Sequence, residues 1–456
     1  MMSIKKNTAV CINLKNNFIY HSSASKCLML LLSVLFCASV YAAPSSEVTY
    51  KDYQPDLKKN FFENIEWNMF FEPSDKKQEL PNVLLIGDSI FNGCWRRIVS
   101  KLNNVANVSY YYTSKCVSGR DFFRCCEIMF NSADYDCIIY QNAAHALGSP
   151  AEQRDFAYRQ SLRYFKAKCP NAKIIAASGT PYRIKTFTSK MQLFNERTKV
   201  IAKAEAVTFL DLFSPLVNLD RKIYWSDNVH LSAKGYEIIA EKIADEIKKS
   251  ISNVYTANDR YVKKTGYTAD NLSFNMNNTE NKRILFVFVN ANSGVKHTVF
   301  RLRRLRTMRN LSFYKTTAGF IDDSFREQLS YMLDENKYEL IVVNCGPENI
   351  EKYTSEQYKT GLKNTIRQIK TAQPNAKLMI VNMAKNNIAD QKKWNDVIAD
   401  CSKDEKIGPS PDISNVKDST TTHTGVIIDF IKRNIVSTEQ KIKQESNELG
   451  PNGAIR

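Results

Sequence analysis

Histidine is scarce in this chain, with 5 among 456 residues, and no CxxC pair has the spacing of a metal knuckle. Zinc-ribbon and zinc-finger chemistry is thereby excluded, and the sequence calls for no metal and no organic cofactor. After the first 42 residues no apolar run is long enough to cross a bilayer. Basic runs interleaved with aromatics are also missing. The one arginine-rich stretch, "RLRRLRTMR" at residues 301–309, reads as a solvated helix face, so no nucleic-acid partner is expected.

What is present is a soluble, globular composition, 43% hydrophobic and 24% charged, with length enough for two or three domains. The start differs. Lys5, Lys6, Lys15 and Lys26 precede "CLMLLLSVLFCASVYAAP", an apolar run that ends in small residues. Residues 1–42 therefore read as a signal peptide with a long basic leader, cut after Ala42, with Val40 and Ala42 at the small-residue positions. The expectation is an exported protein, periplasmic or secreted. Net charge is +17, and a basic surface of this kind favours polyanions such as acidic glycans or an anionic envelope surface. Eight cysteines follow the cut: Cys94, Cys116, Cys125, Cys126, Cys137, Cys169, Cys345 and Cys401. Outside the cytoplasm some should pair, with Cys116 to Cys125 or Cys126 as a loop staple.

Short apolar runs alternate with longer amphipathic ones. "NVLLIG", "DCIIYQ", "AKIIAAS" and "VTFLDL" read as buried parallel strands, and "CWRRIVSKL" and "FAYRQSLRYFKAK" as crossover helices. This is the pattern of a layered α/β domain. The plan then recurs. "ILFVFVNANSG" mirrors "VLLIGDSIFNG", and "KYELIVVNCGPEN" follows "DYDCIIYQNAAHA". "PNAKLMIV" echoes "PNAKIIAA", and "TGVIIDFIKRNI" echoes "KGYEIIAEKIADEI". The expected organisation is a lead-in at 43–80, an α/β domain at 81–250, a polar linker at 251–282, a second α/β unit at 283–437 and a loose tail at 438–456. Each α/β unit is expected to be a three-layer, flavodoxin-like α/β/α sandwich on a parallel sheet, the two standing in tandem.

In a parallel sheet, sites form where strands give way to helices. "LLIGDSIFNG" stops a buried strand at Gly87 and leaves Ser89 on that rim. Amides at the start of the next helix would face its oxygen and carry the partial positive charge that a developing oxyanion needs. Serine is a weak nucleophile without a base. "YWSDNVHLSAKGYEIIAEKI" offers one: Asp227 and His230 stand three apart, just before a helix expected to be capped by Ser232, with Tyr236, Ile239, Ile243 and Ile247 inward. That offset lets the carboxylate hold one imidazole nitrogen while the other faces outward.

"GDS" near the start of the first unit and "DNVHLSAKGY" near its end resemble the SGNH (GDSL) hydrolase family over residues 81–249. The GxSxG elbow of the α/β-hydrolases is absent. "DxxHLSxxG" is similar to the extracytoplasmic SGNH domains that accompany carbohydrate O-acylation. The resemblance implies Ser89 as nucleophile, His230 as base and Asp227 as the acid that orients it. It also implies oxyanion donors at Gly119 in "CVSGRDF" and at the third block, where "DCIIYQNAAHA" departs from the family's GxND and leaves two candidates, His145 and Asn142. The implied activity is an exported serine esterase that cleaves or transfers a small acyl group, an acetyl above all, on a carbohydrate. Two alternatives stand beside it: a non-catalytic protein of the same fold that binds an acylated glycan or an envelope partner, and a lipid esterase. The second unit has Asn290 where the first has Ser89, and Phe288-Val289 for Gly87-Asp88. Ser293 lacks the preceding turn, and Asp418 and His423 fall five apart, so this copy is expected to be inactive.

Overall fold

The computed structural model describes residues 48–55, 65–73, 76–119, 121–251, 271–276, 283–289, 310–316, 318–346, 350–382 and 391–408. The signal segment, Asn290, Ser293, residues 301–309, Asp418, His423 and the tail lie outside the described residues.

In chain order the first half contains β1 (Ile65–Phe71), β2 (Asn82–Gly87), α1 (Ser89–Lys101), β3 (Asn107–Thr113), α2 (Phe122–Ser132) and β4 (Cys137–Tyr140). It continues with α3 (Ala151–Lys168), β5 (Lys173–Ala177), α4 (Lys185–Ala204) and β6 (Thr208–Leu210). Two single-turn helices, α5 (Ser214–Val217) and α6 (Arg221–Tyr224), precede α7 (Ala233–Ile251). The second half holds β7 (Asn271–Met276), β8 (Arg283–Val289), β9 (Asn310–Thr316), α8 (Asp323–Glu335) and β10 (Leu340–Cys345). It ends with α9 (Ser355–Ala372), β11 (Lys377–Val381) and α10 (Gln391–Asp404).

The four apolar runs of the first half are strands, as their lack of alternation demands: a strand covered on both faces has no polar side. β3, β2, β4, β5 and β6 pair in parallel in that order, a 2-1-3-4-5 arrangement of the flavodoxin type. In the second half β9, β8, β10 and β11 pair in parallel in the same order.

The two halves are not separate sheets. One eleven-stranded sheet runs β11-β10-β8-β9-β7-β1-β3-β2-β4-β5-β6. The join is made by β1 and β7, which lie in the stretches read as lead-in and linker. They pair antiparallel with each other, Trp67 opposite Phe274 and Asn68 opposite Ser273. Each is also antiparallel to its own half, β1 on β3 and β7 on β9.

The core of the first half lies between the sheet and the α1–α7 layer, where Val83, Leu85, Ile98, Ile239, Ile243 and Ile247 are fully buried. Each such side chain contributes about 1.5–3 kcal/mol by leaving water. On the other face the filling is aromatic: the Tyr140 ring stacks on Tyr158 at 5.0 Å and meets Phe165 edge-on at 5.1 Å. The disulfide expectation is corrected. All eight cysteines after residue 42 are free thiols and all are buried. They fill core positions as small apolar groups, as buried free cysteines do. Among the described residues no helix is long and apolar enough to cross a membrane.

Candidate active site

β2 ends at Gly87, and Asp88, extended at φ −105°, caps α1 by accepting from the Ile90 N–H at 2.8 Å. Ser89 thus stands half-buried in the first turn of α1, at the carboxyl rim and at the point where the strand order reverses. Sheets of this kind leave their crevice there. The helix amides add a positive field at the same point.

The partner group arrives from the segment between β6 and α7. Trp225 and Leu231 form an antiparallel bridge, and the Trp225 indole donates to the Pro181 carbonyl at 2.9 Å. Between these anchors Asp227 builds its own turn: its Oδ1 accepts from the Val229 and His230 N–H groups, both at 2.7 Å. The other oxygen, Oδ2, lies 2.8 Å from His230 Nδ1. His230 Nε2 then lies 2.9 Å from Ser89 Oγ. With Nδ1–H donating to the carboxylate, Nε2 is left as the acceptor that faces the hydroxyl.

Burial alone would raise the Asp227 carboxyl. The N–H groups of His230 and Val229 and the imidazole outweigh it and bring the group down to about 2. The acid is therefore ionised at any pH at which the imidazole could work as a base. The His230 side chain is 41% exposed and that of Asp227 56% exposed, so water reaches the pair directly.

Ser89, His230 and Asp227 are thus brought together across 141 residues of chain. The expected oxyanion groups fare differently. The Gly119 N–H donates to the Cys116 carbonyl at 2.7 Å and closes the turn after β3. In this structure that N–H therefore already has an acceptor within its own turn. Asn142, 2% exposed, is a clamp: its Nδ2 donates to the Lys115 carbonyl at 2.8 Å and its Oδ1 accepts from the Val117 N–H at 3.0 Å. His145 sits in the single turn Ala144–Ala146, half-buried, with its ring edge-on to Trp67 at 6.4 Å.

Two contributors went unread in the sequence. Asp88, fully buried, accepts from the Ala144 N–H at 3.3 Å through Oδ2 while capping α1 through Oδ1. It ties the serine turn to the loop that carries His145. The signal was present in "GDS", since Asp before a helix start is a preferred cap. Trp67 gave none, because β1 was hidden in the lead-in. Among the described residues no group of three His, Cys, Asp or Glu side chains could hold a metal ion.

Residues 136–238 match the model of the GDSL-like lipase/acylhydrolase family. No curated protein matches the chain. Among solved structures it is similar to a carbohydrate esterase family 3 protein from Talaromyces cellulolyticus, at 17% identity over 38% of this chain and 100% of that one, TM-score 0.33. It is also similar to a catalytic mutant of an acetylxylan esterase from Geobacillus stearothermophilus, at 19% identity over 37% and 94% respectively, TM-score 0.31. A member of the lipolytic G-D-S-L family from Veillonella parvula is similar at 16% identity over 36% and 97%, TM-score 0.31.

Proposed function

We propose that this chain, a member of the SGNH/GDSL hydrolase family through its first half, is an exported serine esterase that removes or transfers a small acyl group on a carbohydrate. One observation carries the reading: the unbroken relay from Ser89 Oγ to His230 Nε2 at 2.9 Å and from Nδ1 to Asp227 at 2.8 Å. In it, Ser89 Oγ attacks the ester carbonyl and gives its proton to Nε2. The imidazolium then protonates the departing alcohol, leaving Ser89 acylated. A water, or an acceptor hydroxyl in transfer, gives its proton to Nε2, takes the acyl group and restores the serine. The Ser89 N–H and the His145 side chain are assigned to the oxyanion, each such donor being worth about 10²–10³-fold.

The acyl-carbohydrate substrate is supported by the basic composition, the apolar leader and the likeness of the second motif to carbohydrate O-acylation domains. The commitment of the Gly119 amide favours a second reading, a binding protein that keeps the fold without the turnover.

Incubation with p-nitrophenyl acetate and with a serine-directed phosphonate separates the two. The esterase is expected to turn over the acetate, to be labelled at Ser89, and to lose about 10⁴-fold or more of kcat in Ser89→Ala. No turnover and no label would favour the binding protein. Release of acetate from acetylated xylo-oligosaccharides, measured beside a triglyceride of short chains, decides between glycan and lipid.

A further inference from the structure

Lys115 follows β3 at the rim and is enclosed completely, its side chain 0% exposed. Its Nζ donates to Glu66 Oε2 of β1 at 3.0 Å and to Glu335 Oε1, the last residue of α8 in the second half, at 2.8 Å. Burial alone would lower the ammonium; the carboxylates of Glu335 and Glu66 more than offset this and hold it above the ordinary lysine range. Nearby, Arg124 pairs with Asp334 at 2.9 Å and lies over the Tyr331 ring at 5.4 Å, so one turn of α8 is gripped by the first half.

A buried charge cluster adds little net stability compared with well-packed apolar residues, but displacing one member leaves a buried charge uncompensated. Its geometry is passed on. The Lys115 N–H donates to Thr113 Oγ1 at 2.9 Å, and its carbonyl receives Asn142 Nδ2 at 2.8 Å. Asn142 Oδ1 holds the Val117 N–H, and two residues further along Asp88 holds the Ala144 N–H beside His145. Hydrogen bonds joined by short covalent stretches, through Lys115 itself and along Asn142 to Ala144, therefore lead from α8 of the second half to the cap of the helix that bears Ser89.

We propose that Lys115 is a positioning residue through which the second half fixes the two rim loops beside Ser89, the loop after β3 and the loop after β4. The inactive-looking half thereby acquires a role in the reaction without touching the substrate. The kinetic part of this inference rests on the esterase reading; the structural part does not.

The test compares Glu335→Gln with Ile366→Ala, a change in the buried apolar face of α9 that weakens the second half without touching the cluster. At matched loss of Tm, hydrogen exchange at the Val117 and Ala144 amides is expected to accelerate in Glu335→Gln and not in Ile366→Ala. With p-nitrophenyl acetate, kcat per phosphonate-titrated site is expected to fall about 10-fold or more in Glu335→Gln alone, with KM little changed. Equal exchange in the two variants overturns the proposal, whatever the activity. A wild type without turnover sinks the esterase reading, and the exchange arm still decides this one. Should Glu335→Gln not fold, the triple variant Glu66→Gln, Lys115→Met, Glu335→Gln removes all three charges together. It is expected to fold and still to exchange fast at Val117; wild-type exchange there overturns the proposal.

Discussion

Asp227 does two jobs with two oxygens. Oδ1 holds the turn through two backbone N–H groups, and Oδ2 holds the imidazole. Replacement by Asn keeps a carbonyl for one job and loses the charge for the other, so kcat is expected to fall by about 10³–10⁴-fold while the fold persists. Its titration also has a sign. The folded carboxyl lies at about 2, below the unfolded value of about 3.9. Asp227 therefore stabilises the fold fully above pH ~4, and that contribution is lost as pH falls toward ~2. Tm measured against pH should show wild type and Asp227→Asn converging over that window; a gap of constant size would contradict the assignment. This residue and its partners were legible because the chemistry is local. An acid three residues before a histidine, and a serine where an apolar run stops, are visible in a few letters. What no spacing reveals is the turn that engages the Gly119 N–H with the Cys116 carbonyl.

The helix that bears the serine is seated by contact with α7. A Cβ at Gly93 would lie 2.1 Å from the Tyr236 ring, so the two helices meet where only a hydrogen fits. Gly93→Ala must move either the ring or α1, and is expected to destabilise by about 1–3 kcal/mol, read by urea denaturation. Because α1 begins at Ser89, a loss of kcat should accompany it. The amphipathic face of α7 was readable from its period, and Ile239, Ile243 and Ile247 are buried as that period requires. β1 and β7 fell in stretches read as lead-in and linker, although "IEWNM" and "NLSFNM" both alternate. A strand normally declares itself by alternation of apolar and polar residues. In β1 the fully buried face carries Glu66 and Asn68 beside Phe70, while Trp67, Met69 and Phe71 on the other face are only partly buried. Glu66 serves Lys115, and Asn68 accepts from Tyr111 and Thr113 while donating to Ser273. A strand that buries its polar side reads as a lead-in when judged by hydropathy alone.

At the scale of the molecule, the described strands of the second half follow the order of those in the first, but the sequence did not show how the two are joined. Similar runs at similar spacing show that a plan recurs; they do not show whether the copies share a sheet. Removing everything after Ile251 would strip β7 from β1 and leave six main-chain positions of β1 without their partners. An open strand of this kind seeks another. The fragment 49–251 is expected to self-associate, measured by light scattering after size exclusion, whereas the whole chain should not do so through this strand. A monodisperse monomeric fragment would show that β1 needs no cover.

The seam has one more consequence. Equivalent strands, β1 and β7, meet antiparallel, and the same succession of neighbours follows on either side of them. Such a succession resembles that of two subunits across a twofold axis, here within one chain. In a dimer of identical subunits every substitution falls twice, so a lost nucleophile is lost from both. Within one chain that constraint is lifted: a substitution in one half leaves the other half unchanged.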